Sequence, residues 1–242
     1  MWAPRHVDIP DGAAALLRDP ACAAVVLPRW IPADTCAAWS AAVLAAEPDW
    51  TSAFEGEQFS LGRAFYTHLE EDESEDYFAD PAASDARVER WLPGMQARLV
   101  ALVGQLVGGR AIPRRGWCGP GVHVFPDAAP VATRGGVHHF DTEGLPAKHL
   151  AARLPAVTVV AMFQPPAIGG GLAVWDVTYA GEDHPSAEEL ARRRHVLTYG
   201  PGDVVLVDSY RLHQIQPFVR GPRISATVHA AALDHATWEC WF

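Results

Sequence analysis

Long apolar runs are missing from this sequence of 242 residues. No stretch approaches the roughly 20 apolar residues that cross a bilayer, and residues 1–12 lack the apolar segment of a secretory signal. A basic excess is missing too, because 29 acidic residues outnumber 19 basic ones and give a formal net charge of −10. That balance argues against a nucleic-acid backbone as partner. We therefore expect neither a membrane nor a nucleic acid among the partners.

Cysteine is scarce and scattered. The four cysteines are Cys22, Cys36, Cys118 and Cys240, and no two form a C-x-x-C pair. This usage favours reduced thiols and a cytoplasmic location. Apolar residues make up 49% of the chain, enough for a full core, and no linker or internal repeat divides it. We therefore expect one domain over residues 1–242.

Residues 1–110 carry mainly helical patterns. Residues 34–47 predict a helix capped by Asp34 or Thr35 that ends before Pro48. A second helical pattern opens at residues 84–85, breaks at residues 93–94 and continues to residue 108. Shorter patterns predict a helix over residues 11–17 and a strand over residues 23–27. The acidic run 70–76 is typical of a solvated loop.

Residues 111–242 change to the period of strands. Eight short segments, most of them bounded by Gly or Pro, predict strands at 121–125, 137–141, 157–163, 171–176, 195–199, 204–208, 214–218 and 224–232. The interruption at residues 181–194 predicts a capped helical turn. The pattern indicates an α+β fold that is mainly β, a sandwich or barrel covered on one side by helices. If runs 204–207 and 224–228 pair antiparallel, neighbouring strands supply His213 and Arg223.

Two imidazoles and one carboxylate stand out in the strand-rich half. In His139-Phe140-Asp141, strand alternation places the imidazole and the carboxylate on one face, and His213 follows further along the chain. Two nitrogen ligands and one carboxylate on one side of a metal suit non-heme Fe(II). The look-alikes His6-x-Asp8 and His68-x-Glu70 lie in the front half. For His139 and His213, a role as ordinary buried histidines stays open.

The sequence resembles the Fe(II)/2-oxoglutarate-dependent dioxygenases. Their pattern is H-x-D, a distal His, and an Arg ten positions later that is often followed by x-Ser; here it reads His139-Phe140-Asp141, His213 and Arg223-Ile224-Ser225. The surrounding segment, residues 202–225, is similar to the family's as well. The glycine-rich stretch 169–172 is similar to the turn that precedes an inner strand. The specific motifs cover residues 135–230.

The resemblance implies a double-stranded β-helix (jelly-roll, cupin-like) with the N-terminal helices packed on one sheet. It implies a catalytic Fe(II) bound by His139, Asp141 and His213, with O2 and the cosubstrate 2-oxoglutarate. Arg223 and Ser225 would bind the far carboxylate of 2-oxoglutarate. The implied reaction is hydroxylation, or another oxidation, of an unactivated C–H in a small metabolite, such as an amino acid or a biosynthetic intermediate. Succinate and CO2 would be released.

Two other functions remain open at this point. A peptide or protein hydroxylase shares the fold, although those enzymes commonly carry Lys at the position of Arg223. The second open function is that of a barrel that binds a metal or ligand without turnover. The sequence does not name the substrate, the carbon attacked or the oligomeric state.

Several residues are candidates for substrate contact. They are Glu143, Trp175, Arg134 and Tyr210. Glu143 is the next residue after Asp141 on the metal-facing side if the strand continues, and would then bind an amine or guanidinium. The alternative is that Glu143 has left the strand and faces water. The insertion at residues 177–195 is a lid over the substrate or a surface loop.

Overall fold

A computed structural model describes residues 2–242 and contains two main sheets and several short helices. The strands are β1 (Ala3–His6), β2 (Cys22–Leu27), β3 (Thr51–Ala53), β4 (Gln58–Leu61), β5 (Arg110–Pro113), β6 (Gly121–Phe125), β7 (Ala156–Gln164), β8 (Ile168–Gly169), β9 (Leu172–Thr178), β10 (Arg194–Leu197), β11 (Val204–Asp208), β12 (Arg211–Ile215), β13 (Phe218–Val219), β14 (Arg223–Ala232) and β15 (Thr237–Trp241). The α-helices are α1 (Ala33–Ala45), α2 (Phe65–Glu70), α3 (Ser74–Ala79), α4 (Pro81–Trp91), α5 (Met95–Val107), α6 (Pro130–Arg134), α7 (Ala147–Ala152) and α8 (Ala187–Leu190). Short 3-10 helices lie at Ala13–Arg18, Glu47–Asp49 and Phe54–Gly56.

The large sheet has ten strands in the order β1-β2-β11-β7-β14-β6-β4-β3, with β15 joining β14 to β5. Its central strands are rich in β-branched residues, which favours an extended chain buried on both faces. Alternation along β14 sends Ile224, Ala226 and Val228 to one face of the sheet. Arg223 and Ser225 therefore project from the opposite face, which we call the inner face.

The outer face of the large sheet is covered by helices. Side chains of α1, α4 and α5 join those of β2, β6, β7, β11 and β14 in one buried cluster. Helix α5 begins after Gly94 and ends at Val107, just before Gly108, as the glycine and proline pattern predicts. The expectation of a mixed α+β fold, mainly β, is confirmed.

The small sheet has three strands in the order β10-β9-β12. Leu172 and Val174 of β9 pack against Val26, Val205 and Val207 from the inner face of the large sheet. The two sheets therefore face each other, and polar side chains of the inner face lie between them. A separate two-stranded pairing joins β8 and β13.

The front half departs from the helical prediction. Strands β1, β3 and β4 were not predicted, and all of them join the large sheet together with the predicted β2. The acidic run 70–76 is largely exposed, as predicted, but only residues 71–73 form a loop, because Glu70 ends α2 and Ser74 begins α3. Acidic side chains on an exposed helix face are as well solvated as those of a loop, so charge alone does not separate the two.

Two predictions about strands in the second half are also wrong. Strands β11 and β14 do not pair with each other, because β7 lies between them and pairs with both. The predicted strand 137–141 is reduced to a single bridge between His139 and His213. His213 therefore lies in the small sheet and Arg223 in the large one. None of the helices in residues 2–242 is long and apolar enough to cross a membrane.

Candidate functional site

Backbone pairing brings the two predicted imidazoles opposite each other. The backbone N–H of His139 donates to the carbonyl of His213 at 3.1 Å, and the N–H of His213 donates back at 3.0 Å. Two residues on, the N–H of Asp141 donates to the carbonyl of Ser209 at 2.9 Å. Paired residues of an antiparallel ladder project to the same side, so this short pairing fixes both rings on one face.

The three side chains form a compact cluster. Ligand atoms of His139, Asp141 and His213 all lie within 4.8 Å of one another. His139 Nε2 is 3.6 Å from Asp141 Oδ1, and His213 Nε2 is 3.3 Å from Asp141 Oδ2. No other group of at least three His, Cys, Asp or Glu residues in the described chain has such a geometry.

Backbone carbonyls set the orientation of both imidazoles. His139 Nδ1 lies 3.0 Å from the carbonyl oxygen of Val137, and His213 Nδ1 lies 2.8 Å from that of Arg211. A carbonyl oxygen only accepts, so each Nδ1 carries the proton. Each Nε2 then presents its lone pair to the space beside Asp141, as a metal-binding imidazole requires.

The three groups of this cluster are electrostatically coupled. Burial alone would raise the pKa of Asp141, but His213 opposite it holds that pKa well below its usual range. Burial and His213 together lower the pKa of His139 to about 4, so this ring is neutral. Burial alone would lower the pKa of His213, but the carboxylate of Asp141 outweighs it and the pKa is raised.

A divalent metal fits the residues present. Asp141 Oδ2 is buried and has no hydrogen-bond partner, which is costly for a carboxylate oxygen unless a cation or donor satisfies it. Together with two oriented Nε2 lone pairs, it forms a set of two nitrogen ligands and one oxygen ligand on one side of a metal. The donor set is the one that suits Fe(II).

Arg223 lies at the start of β14, on the inner face, and only 2% of its surface is exposed. Its Nε donates to the carbonyl of Gly170 at 3.1 Å and its Nη1 donates to Ser225 Oγ at 2.8 Å. Gly170 has a φ of +70° in the predicted glycine-rich turn, and a Cβ there would approach Pro166 to 2.5 Å. This turn therefore needs glycine to place the carbonyl against Arg223.

The guanidinium of Arg223 has no acidic partner in residues 2–242, and burial lowers its pKa. The Tyr199 ring lies 5.4 Å from Arg223 Cζ, and its buried hydroxyl has no hydrogen-bond partner. A buried cation and an unpartnered hydroxyl beside it are a receptor for an anion. Sequence reasoning missed Tyr199, because an isolated tyrosine near a strand end gives no signal.

Neutral aromatic groups lie near both the triad and Arg223. Gln58 Nε2 contacts both the Tyr66 hydroxyl and, at 3.1 Å, His123 Nδ1. His229 Nδ1 contacts Thr158 Oγ1 at 3.0 Å. Burial lowers the pKa of His123 to about 3 and also lowers that of His229. Both rings are thus neutral lining groups held by local hydrogen bonds, and Tyr66 is a second residue that sequence reasoning missed.

Trp175 was predicted to contact the substrate, and its position does not support that role. His213 pairs with Val174 across β12 and β9, so Trp175 projects from the opposite face of β9. Trp175 is 1% exposed, packs with Phe140, and donates from Nε1 to the carbonyl of Leu190. The adjacent His138 contacts this ring at 5.1 Å, which confirms that His138 projects away from His139.

Tyr210 and Arg134 also lie away from the triad. The Tyr210 hydroxyl donates to the carbonyls of His149 and Leu154, both at 3.0 Å, within a buried cluster. Arg134 ends α6 at the surface, where it pairs with Glu57. The polar atoms of these residues already have protein partners, so these contacts do not support a role in substrate binding.

Glu143, the fourth candidate for substrate contact, follows Asp141 by two residues and stays a prediction. Burial and the nearby carboxylate of Asp141 raise the pKa of Glu143 to about 7. The charge of Glu143 also acts on His213 and on Tyr66. This residue has left regular strand, as one alternative held, and its side chain is partly exposed.

The insertion at residues 177–195 is anchored rather than loose. Ser186 caps α8 with a reciprocal bond to Glu189, as the sequence predicts. The Tyr179 ring packs 5.3 Å from that of Phe140, and Thr142 Oγ1 donates to Asp183 Oδ1 at 3.4 Å. The first part of the insertion therefore lies against the segment that carries Asp141.

No family model and no curated protein matches the sequence. Solved structures do match. An N-substituted L-amino acid dioxygenase from Burkholderia ambifaria AMMD has a TM-score of 0.59 at 16% identity, with 95% of this chain and 90% of that chain covered. The non-heme alpha-ketoglutarate-dependent carbocyclase SnoK from nogalamycin biosynthesis has a TM-score of 0.56 at 16% identity, with 90% and 81% covered.

A third similar structure is a prolyl hydroxylase from Trichoplax adhaerens in complex with a peptide fragment of hypoxia-inducible factor. Its TM-score is 0.50 at 13% identity, with 89% of this chain and 86% of that chain covered. Likeness at such low identity concerns the fold. The resemblance read from the sequence is thereby confirmed for the fold, and the chain has the fold of the Fe(II)/2-oxoglutarate-dependent oxygenases.

Proposed function

We propose that the protein is a non-heme Fe(II)- and 2-oxoglutarate-dependent oxygenase that acts on a small molecule. The observation that carries the proposal is the presence, in one fold, of three clustered metal ligands and a buried guanidinium that lacks an acidic partner. The charges of Asp141 and Arg223 both act on Tyr66, so the metal cluster and the buried guanidinium share the same surroundings. A keto acid with a second carboxylate is the kind of ligand that would contact both the metal and Arg223.

His139, Asp141 and His213 would hold the iron, and Arg223 would bind the far carboxylate of 2-oxoglutarate. Ser225 Oγ already accepts a hydrogen bond from Arg223 Nη1, which keeps the guanidinium oriented. The Tyr199 hydroxyl supplies a further donor beside the same carboxylate, because burial keeps it protonated by raising its pKa. This chain therefore provides three metal ligands and a charge-assisted anion site.

When bound, Fe(II) and 2-oxoglutarate supply the oxidation of a substrate C–H by O2, with release of succinate and CO2. The protein residues bind and orient the substrate and the cosubstrate, and they exclude water. Neutral His123, His229 and Tyr66 line the space without adding charge beside the metal. The fold that positions these groups would be a double-stranded β-helix, in a single domain over residues 1–242.

A small metabolite, such as an amino acid or a biosynthetic intermediate, is favoured over a peptide. Arg223 stands where peptide prolyl hydroxylases commonly carry Lys. A non-catalytic barrel is disfavoured because both the metal cluster and the anion site are complete.

The test is the consumption of 2-oxoglutarate by purified protein with Fe(II) and O2, measured as succinate formed per O2 used. We expect succinate from the wild type and none above background from Asp141→Ala or Arg223→Met. Bound metal without any succinate, with or without a metabolite panel, would favour the non-catalytic alternative. Turnover that requires a peptide would favour the peptide hydroxylase.

A further inference from the structure

The central strands β6, β7 and β14 of the large sheet carry almost no charge. No residue of β6 or β7 is acidic, lysine or arginine, and Arg223 is the only residue of β14 with a permanent charge. Under the proposed function, the far carboxylate of 2-oxoglutarate occupies Arg223. The rest of this wall therefore offers only neutral polar groups to a substrate.

His229 is the residue at which this wall becomes accessible. Alternation along β14 places it on the inner face together with Arg223, Ser225 and Thr227. It is the only one of the ten residues of β14 that is not buried. Because the alanines that follow it are buried again, its exposure reflects open space in front of the ring and not the end of the strand.

The ring of His229 is held in one orientation. Its Nδ1 lies 3.0 Å from the Oγ1 of Thr158, its partner in the pairing of β14 with β7. The Trp241 ring stacks against it, with 5.9 Å between centroids and 29° between planes, and Trp241 is itself 1% exposed. With one nitrogen and one face of the ring occupied, the other nitrogen, Nε2, has a defined direction.

A chain of contacts joins His229 to the metal cluster. Thr158 Oγ1 also lies 3.3 Å from Ser209 Oγ. The carbonyl of Ser209 accepts the backbone N–H of Asp141 at 2.9 Å. Only the side chains of Thr158 and Ser209 therefore separate His229 from the residue that carries the metal-binding carboxylate. A molecule that contacts the His229 ring lies near the metal cluster.

Nε2 of His229 is left for a ligand. Within residues 2–242 it has no hydrogen-bond partner, and it is not one of the polar atoms that are sealed from solvent. No carboxylate in the described residues forms an ion pair with this ring, and burial lowers its pKa, so the imidazole is neutral. The nitrogen of a neutral imidazole exchanges hydrogen bonds with hydroxyl, carbonyl and amide groups.

We propose that His229 binds the substrate, through a hydrogen bond between Nε2 and an uncharged polar group: a hydroxyl, a carbonyl or an amide. The inference rests on the proposed oxygenase function and names a substrate class for it. That class is compounds that carry such a group close to the carbon that is oxidised. Thr158 and Trp241 are positioning residues, since they orient the ring.

The first test needs no substrate. Diethyl pyrocarbonate modifies accessible neutral imidazoles, and mass mapping of peptides identifies each modified histidine. In folded protein loaded with Fe(II) and 2-oxoglutarate, His229 and the exposed His235 should both be modified, whereas the fully buried His149 should not. An unmodified His229 beside a modified His235 would show that Nε2 does not reach open space, and would overturn the proposal.

The second test uses pairs of compounds that differ in one uncharged polar group. The panel contains N-acetyl-L-amino acid amides, aliphatic alcohols and phenols, each with an analogue in which hydrogen or methyl replaces the hydroxyl or amide. Binding to the anaerobic, loaded protein is followed by calorimetry and by the change in visible absorption of the Fe(II)–keto acid chelate. We expect at least one parent compound to bind in a saturable manner, and its analogue to bind about fivefold or more weakly.

Variants show whether His229 makes that hydrogen bond. His229→Leu should weaken binding of the parent compound about fivefold or more, whereas the analogue should bind equally to both proteins, with the affinities for Fe(II) and 2-oxoglutarate unchanged. His229→Gln should retain part of the binding of the parent compound, because an amide also exchanges hydrogen bonds. His235→Gln, in the exposed turn after β14, is the matched control and should change neither affinity.

Two results would overturn the assignment. One is an equal loss for parent compound and analogue in His229→Leu, and the other is a panel in which no uncharged compound binds. If instead the wild type bound no 2-oxoglutarate with Fe(II), the proposed function itself would fail.

Discussion

Replacing Arg223 by Met separates ligand binding from folding at the proposed 2-oxoglutarate site. Arg223 is a buried cation without an acidic partner, so the unliganded protein carries a desolvated charge. Methionine keeps an unbranched side chain of similar reach and removes that charge. The variant loses the bonds to Gly170 and Ser225 but also the desolvation cost. We therefore expect its free energy of unfolding to stay within about 2 kcal/mol of the wild type.

The expected loss of ligand affinity is much larger. Of the five N–H donors of a guanidinium, Arg223 uses one on Gly170 and one on Ser225, so the others are free for a carboxylate. Removing one partner of a buried charge pair costs about 2–5 kcal/mol. At about 1.4 kcal/mol per factor of ten, the Kd for 2-oxoglutarate rises roughly 30-fold to several thousand-fold.

Calorimetric titration of 2-oxoglutarate into anaerobic, Fe(II)-loaded protein measures this change, and thermal unfolding with and without 2-oxoglutarate measures stability. The wild type should gain in Tm with the ligand, and Arg223→Met should not. Arg90→Met is the matched control, because that side chain is 61% exposed and pairs with Asp49 at the surface. If Arg223→Met bound 2-oxoglutarate as tightly as the wild type, the assignment of the anion site would be refuted.

Three further changes test other parts of the site. His213→Ala should abolish stoichiometric Fe(II) binding, measured by metal analysis after dialysis, whereas His6→Ala, at the exposed end of β1, should retain the metal. The reverse result would refute the assignment of the triad. Tyr199→Phe removes a buried hydroxyl without a hydrogen-bond partner, so the free energy of unfolding should not fall. The Kd for 2-oxoglutarate should rise about fivefold, which corresponds to roughly 1 kcal/mol. An unchanged Kd would show that Tyr199 does not contact 2-oxoglutarate. Gly144→Ala should lower the free energy of unfolding by more than about 1 kcal/mol, because alanine is strained at a φ of +79° and its Cβ would contact Trp117. A denaturation midpoint equal to that of the wild type would contradict this backbone conformation at Gly144.

The sequence predicted the site better than the path of the chain around it. His139, Asp141 and His213 are brought together by one bridge and one further backbone bond, and neither requires a regular strand over residues 137–141. The spacing of these three residues in the sequence indicates a metal site, and that site forms whether or not residues 137–141 are a regular strand. Arg223 and Ser225 share a face through simple alternation, which local sequence does determine.

Which face of a strand is the inner one was not predictable locally. The first four residues of β9, Leu172–Trp175, are apolar on both sides, so they do not distinguish the face of Val174 from that of Trp175. The register with β12 decides it, and that register depends on distant residues. Likewise β3 has only three residues, without β-branched ones apart from Thr51, and exists because β4 pairs with it.

Strand order was beyond sequence reasoning for a similar reason. Strands β11 and β14 are close in the sequence and both apolar, which favoured direct pairing. In the structure β7 lies between them and pairs with both, and seven of its nine residues are buried. Only the packing of the whole sheet selects that arrangement.

The most direct test of the central claim is whether iron and 2-oxoglutarate meet in one site. Anaerobic titration of 2-oxoglutarate into Fe(II)-loaded protein should produce a saturable visible charge-transfer band, the signature of a keto acid chelated to Fe(II). The band should be absent from His213→Ala, and in Arg223→Met it should require far more 2-oxoglutarate. A wild type that binds both Fe(II) and 2-oxoglutarate, yet shows no such band at saturation, would contradict the account.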